Sequence, residues 1–100
     1  MNAFPGRQPI RGDSLIIWID DAMLSVKGAI TCQGIVEAGQ GYAVLTLPDA
    51  DPEQRRALER CRTYGFELYL DGRQIYSSPA LTLSGTSRTG DGSLVVKGSP

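Results

Sequence analysis

Residues 65–98 read GFELYLDGRQIYSSPALTLSGTSRTGDGSLVVKG, and the alternation in this stretch decides the fold class. Phe66, Leu68 and Leu70 alternate with Glu67, Tyr69 and Asp71, a period of two that fits a half-buried strand and no helix. Asp71-Gly72 supplies the residues that tolerate positive φ in a two-residue hairpin turn. Gln74, Ile75 and Tyr76 open the return strand, and Leu81 and Leu83 alternate with Thr82 and Ser84 in the next. Gly90-Asp91-Gly92 turns the chain again before Leu94, Val95 and Val96. The stretch is an antiparallel meander that exposes a surface and carries no reactive group.

Outward from this meander, the preceding residues divide into an arm, four strands and a helix. Residues 1–13 hold Pro5, Pro9, Gly6 and Gly12 and little apolar material, the composition of an extended arm, frayed or pinned onto a neighbouring subunit. Ser14–Ile19 is the first expected strand and contains the sole tryptophan, Trp18. Asp20-Asp21 makes a turn, Met23–Val26 pairs back, and Gly28 breaks that second strand. Ile30–Glu37 is the third, where Gly34 interrupts the alternation and suggests a bulge or bend. Gly39-Gln40-Gly41 leads into Tyr42–Leu47, with Ala43, Leu45 and Leu47 on one face.

Asp51 is a good N-cap, Pro52 suits the first helical position, and Gln54 can complete a capping box. Ala57, Leu58, Cys61 and Tyr64 then recur at helical spacing, with Gln54, Arg55, Glu59 and Arg62 outward. Gly65 closes the element as its C′ residue. The predicted fold is mainly β: a small antiparallel split β-barrel of about seven or eight strands, with one α-helix (about 52–64) between strands four and five. Residues 1–13 form the arm and residues 14–100 a single domain.

Hydrophobic residues make up 41% and charged residues 21% of the 100, a globular composition for one domain. Ten Lys and Arg face eleven Asp and Glu, a net charge of −1, so no basic field is available to hold nucleic acid. The longest apolar run, Leu15–Ile19, is too short to span a bilayer, and the N-terminus lacks the apolar segment of a secretory signal. The chain contains no histidine, which removes the usual general base, the Ser-His and Cys-His pairs and the commonest metal ligand. Cys32 and Cys61 form no CxxC pair and cannot complete a zinc site. They read as small buried hydrophobes, though a helix packed on the strand could bring them together as a disulfide. No enzymatic role, cofactor, metal or small-molecule substrate is expected.

Several short motifs have ordinary structural explanations. Arg11-Gly12-Asp13 is an integrin-type tripeptide, but it precedes a strand and consists of common turn residues. Asp20 with Asp21, and Asp49 with Asp51, are paired acids without a calcium loop around them. Gly39-x-Gly41 opens no helix and is a hairpin rather than a phosphate cradle. Arg55, Arg56, Arg60 and Arg62 are offset by Glu53 and Glu59 and make a solvated or subunit-facing surface. The alternation turns Tyr69 outward, with Tyr76 on the adjoining strand near it and Tyr42 outward as well. Exposed tyrosines cover large interface area at small entropic cost; cross-strand packing within one sheet explains them equally. The candidate interface residues are Tyr42, Tyr69, Tyr76, Arg55 and Arg62.

The run GIVEAGQGYAVLTLPDADP (residues 34–52), followed by the helix and YGFELYLDGRQIYSS (residues 64–78), resembles the entry domain of contractile-tail hub proteins. That family includes the baseplate hub of Mu-type phages, the phage late-control protein D family and the type VI secretion spike. The matching residues are Tyr42–Asp49, Phe66–Ile75 and Gly92–Gly98. Ser77-Ser78-Pro79 departs from the pattern where a glycine is common, and hubs carry further domains. The resemblance implies a split barrel that assembles into a ring around the tail channel. Its partners would be copies of itself and other tail proteins, with no nucleic acid and no membrane. Its place would be the virion tail, after synthesis in the bacterial cytoplasm. The other reading is a small intracellular phage-encoded inhibitor or adaptor that uses the same tyrosines and arginines on a protein partner.

Overall fold

Tyr64, Phe66 and Leu68 are buried, while Glu67 and Tyr69 lie between and beside them half-exposed, and strand β4 (Thr63–Leu70) is built on that alternation. The computed structural model describes residues 6–20, 22–37, 39–48 and 51–100. The other strands are β1 (Ile10–Ile19), β2 (Ala22–Glu37), β3 (Gln40–Leu47), β5 (Arg73–Ser77), β6 (Leu81–Arg88) and β7 (Leu94–Ser99). Helix α1 (Pro52–Arg60) joins β3 to β4. All pairings are antiparallel, as the meander predicts. The order β1-β2-β3-β7-β6-β4-β5, with β1 also paired to β4, closes the sheet on itself as a ring with β5 appended to β4.

Two long bent strands make the closure. The first part of β2 pairs with β1, and its last part, from Thr31 onward, pairs with β3. Thr82 of β6 pairs with β4, and β6 from Thr82 to Arg88 pairs with β7. The front layer is therefore β2–β1–β4–β5, with residues 22–27 of β2 at one edge and β5 at the other. Inside the ring lie Leu15, Ile17, Ile30, Leu45, Leu47, Phe66, Leu68 and Val96, all fully buried. Apart from the Tyr64 hydroxyl and the two thiols, no polar or charged side chain is buried among the described residues, so the interior is held mainly by apolar contact and the ladder.

The hairpin turn stands as expected: Asp71 (φ 53°) and Gly72 (φ 79°) both lie in the left-handed region that a primed turn requires. The N-cap also stands, with the Asp51 carboxylate accepting the Glu53 N–H at 3.4 Å and Pro52 opening the helix. Gln54 does not complete a capping box; its Nε2 donates to the Ser25 carbonyl at 3.1 Å and ties the helix to the outer edge of β2.

Other expectations are corrected. The helix ends at Arg60, not residue 64, and Cys61 is an extended C-cap (φ −69°, ψ 154°). Tyr64 and Gly65 belong to β4, where Tyr64 pairs with Ile19 and Leu81; the sheet outweighs the helical spacing because it buries the whole Tyr64 ring. Gly28 does not end a strand: with φ 132° it sits inside a continuous β2, opposite the register shift between Gly12 and Ser14. No register shift occurs at Gly34 in the β2–β3 ladder. The first strand starts at Ile10, inside the expected arm, and the Gly6 carbonyl accepts the Gly34 N–H at 2.7 Å. The part of the arm at residues 6–9 thus continues along its own β2, while residues 1–5 lie outside the described residues. Leu70, expected in the core, is 42% exposed at the hairpin tip.

Candidate functional site

The candidate interface residues do not form one surface. Tyr69 and Gln74 pair across β4–β5, but the register then shifts, so Leu68 pairs with Tyr76 and Ile75 has no partner on β4. One bulged residue inverts the face of everything after it. Tyr76 therefore turns toward the core, where its ring lies 5.7 Å from that of Phe66, and burial pushes its phenol up to about 12. Ile75 is turned out instead, 38% exposed. Tyr69 stays on the outer face, donating to Glu67 Oε1 at 2.7 Å; that bond is the main reason its phenol titrates above the ordinary value. Tyr42 is half-buried opposite Ile35, on the ladder of β2 and β3.

The arginines are likewise apart from the tyrosines. Arg55 lies 3.7 Å from Glu59 one helical turn on, a pairing of small energetic weight at a solvated surface. Arg62 is exposed in the link between α1 and β4, where its carbonyl accepts the Leu83 N–H. Cys32 and Cys61 are both reduced thiols and both buried. Cys61 donates through Sγ to the Leu58 carbonyl at 3.2 Å, and burial pushes the Cys32 thiol up to about 11. Thiols held protonated in this way are poor nucleophiles.

The tripeptide Arg11-Gly12-Asp13 has a structural duty. A Cβ at Gly12 would stand 2.5 Å from Leu68 Cδ1 and 2.6 Å from the Tyr69 carbonyl oxygen, so the strands approach there only because that atom is missing. The Asp13 carboxylate accepts the Asp71 N–H at 3.1 Å and anchors the β4–β5 turn to β1. Of the paired acids, Asp20 lies in the turn after β1 with φ 52°, and Asp51 is the N-cap; Asp21 and Asp49 lie outside the described residues. Among the described residues, no group of three or more Cys, Asp or Glu is placed to hold a metal.

What the sequence reading passed over is the outer face of β1. Trp18 is 40% exposed and Met23, its partner across β1–β2, is 65% exposed. On the other flank Trp18 pairs with Gly65 of β4, which offers no side chain. The absence leaves a shallow cleft of about 280 Å³ bounded by Trp18, Asp20, Thr63, Gly65, Ser78 and Pro79. Ser78 fixes its far wall: Oγ accepts the Phe66 N–H at 2.8 Å and donates to the Pro79 carbonyl at 2.9 Å. Strict alternation through Leu15, Ile17 and Ile19 already assigns Trp18 to the outside, and that was the available signal.

Tyr64, on the inner side of the same strand, carries a buried hydroxyl without a hydrogen-bond partner. Its ring covers Gly98, where any Cβ would collide with it. Burial is the first cause that moves its phenol far above the ordinary value, with the Cys61 thiol second. No family model, curated protein or solved structure matches the chain.

Proposed function

We propose that this chain is a non-enzymatic structural protein of a phage or phage-like tail or baseplate, acting by self-assembly into a ring or tube. The observation that carries this reading is the front layer β2–β1–β4–β5, which ends in two unlike edges: residues 22–27 of β2 and residues 73–77 of β5. Strand edges present backbone donors and acceptors to another chain. The layer has an even number of antiparallel strands, so β5 of one copy and β2 of an identically oriented neighbour run antiparallel. Such a head-to-tail contact is heterologous, and it closes as a ring or continues as a tube. Both edges resist indiscriminate pairing. Gln54 occupies the Ser25 carbonyl, and β5 is short, bulged at Ile75 and charged at Arg73. The likeness of residues 34–52 and 64–78 to contractile-tail hub domains supports the same role, with other tail proteins as further partners.

A second reading, a small phage-encoded inhibitor or adaptor binding one protein partner, is favoured by the exposed pair Trp18 and Met23. Native mass across a concentration series separates the two. Self-assembly predicts a defined oligomer or growing tube in the unmodified chain, reduced to monomer by Ile75→Lys on the β5 edge without loss of the β-sheet signal. A monomer at every concentration contradicts the first reading and leaves the second.

A further inference from the structure

We propose that the cleft beside Trp18 is a binding site for an arginine side chain presented by a different protein. Trp18 is 40% exposed and lines the cleft, and Asp20 is the ionisable acid on the cleft wall. Among the described residues the one ion pair is Arg55 with Glu59, and the Asp20 carboxylate is paired with no cation. An aromatic face beside an uncompensated carboxylate is the arrangement that a guanidinium satisfies, stacking on the ring while its fork pairs with the oxygens. The Asp20 backbone is held in place, since its N–H donates to the Thr63 carbonyl at 3.3 Å and its φ is fixed at 52°.

The size and position of the cleft select the occupant. A volume of about 280 Å³ open to solvent suits one long side chain rather than a whole cofactor. Met23 extends the apolar surface beyond the cleft on the same face, which suits a polypeptide rather than a free guanidinium compound. Trp18 lies on β1, an inner strand of the front layer, whereas the self-assembly proposed above, on which this step rests, would pair copies at the β2 and β5 edges. Edge-to-edge addition leaves the outer face of β1 uncovered, so the arginine belongs to another protein.

The test uses the indole N–H resonance of Trp18, the sole tryptophan, in the full chain titrated with acetyl-Gly-Arg-Gly-amide. Parallel titrations use the citrulline and lysine peptides. The expected result is a saturable shift with the arginine peptide in the millimolar range, several-fold weaker binding of the lysine peptide and none of the neutral citrulline peptide. Asp20→Asn keeps a residue type that tolerates positive φ and should weaken binding about threefold to tenfold. Gly65→Ala narrows the cleft at its floor. A Cβ there meets Pro79 O at 3.5 Å and Ser78 Oγ at 3.6 Å, ordinary contacts, so the sheet should form and the shift should weaken. Citrulline or lysine binding equal to arginine, or a shift unaltered in both variants, overturns the proposal. An indole shift that follows the chain's own concentration without peptide overturns the assignment to a different protein.

Discussion

On the inner side of the β1–β4 seam, Leu15, Ile17, Ile19, Tyr64, Phe66 and Leu68 are each buried in one apolar cluster. On the outer side of the same strands stand Trp18, Glu67, Tyr69 and the bare backbone of Gly65, all with some access to solvent. The two sides share a backbone and a register, so the difference lies in what each side chain is required to do. Inner residues are fixed by volume and by the lack of water, and a change there is felt throughout the ring. Outer residues are spared that demand, and the proposed contacts rest on the indole, the carboxylate and the strand edges found there.

The largest effect is expected from Phe66→Ala. Its ring lies between those of Tyr64 (6.5 Å) and Tyr76 (5.7 Å), and truncation should cost about 3–5 kcal/mol in urea unfolding. A loss under 1 kcal/mol, judged against that ~3–5 kcal/mol range, would mean that the cluster is not the stabilising element. Gly12→Ala should follow, with a loss at or above the usual overpacking range of about 1–3 kcal/mol, because one of its opposing atoms is backbone. A neutral result would show that β1 and β4 do not approach there as described.

Alkali should act on the inner side next. The unfolded chain releases the Cys32 proton near the ordinary value of 9.0, whereas the folded chain keeps it up to about 11. In that window the folded state holds more protons, so stability is complete below pH 9 and falls as pH rises toward 11, by about 2 kcal/mol. Tyr76 adds to the loss above the ordinary phenol value, since it holds its proton to about 12. Cys32→Ala should reduce the pH 9–11 slope without abolishing it, because burial also holds the proton on Cys61 and on the Tyr64 and Tyr76 phenols; an unchanged slope would assign it to those groups.

Tyr64→Phe should stabilise the chain by about 1 kcal/mol, since it removes a buried hydroxyl that has no partner. Destabilisation would reveal an internal partner for that oxygen. The smallest effect belongs to the outer side. Glu59→Gln, which breaks the pair with Arg55, should change stability by less than about 0.5 kcal/mol. A larger loss would mean that the helix surface is structural.

Much of this arrangement is legible in the sequence. Period-two alternation in 66–69, the Asp71-Gly72 turn and the Asp51-Pro52 helix start are local signals, and each appears where the sequence places it. The helix end was not legible, because Cys61 and Tyr64 fit a helical face and a strand face alike. What places Tyr64 in β4 is its pairing with Ile19 and Leu81, contacts too distant in the chain for spacing to reveal. The candidate site suffered most from one residue. The bulge at Ile75 has no signal in RQIYS, yet it decides that Tyr76 turns inward and Ile75 outward. Gly28 misled in another way, for a glycine at positive φ can bend a long strand without ending it.

In the proposed assembly the front layer keeps two edges available to neighbouring copies. Amide hydrogen exchange resolved along the chain and followed with protein concentration tests it most directly. Fast exchange is expected in residues 73–77 and 22–27 at high dilution, with protection rising in both segments together as concentration increases. Exchange in those two segments that is independent of concentration, or protection that rises elsewhere on the surface, would contradict it.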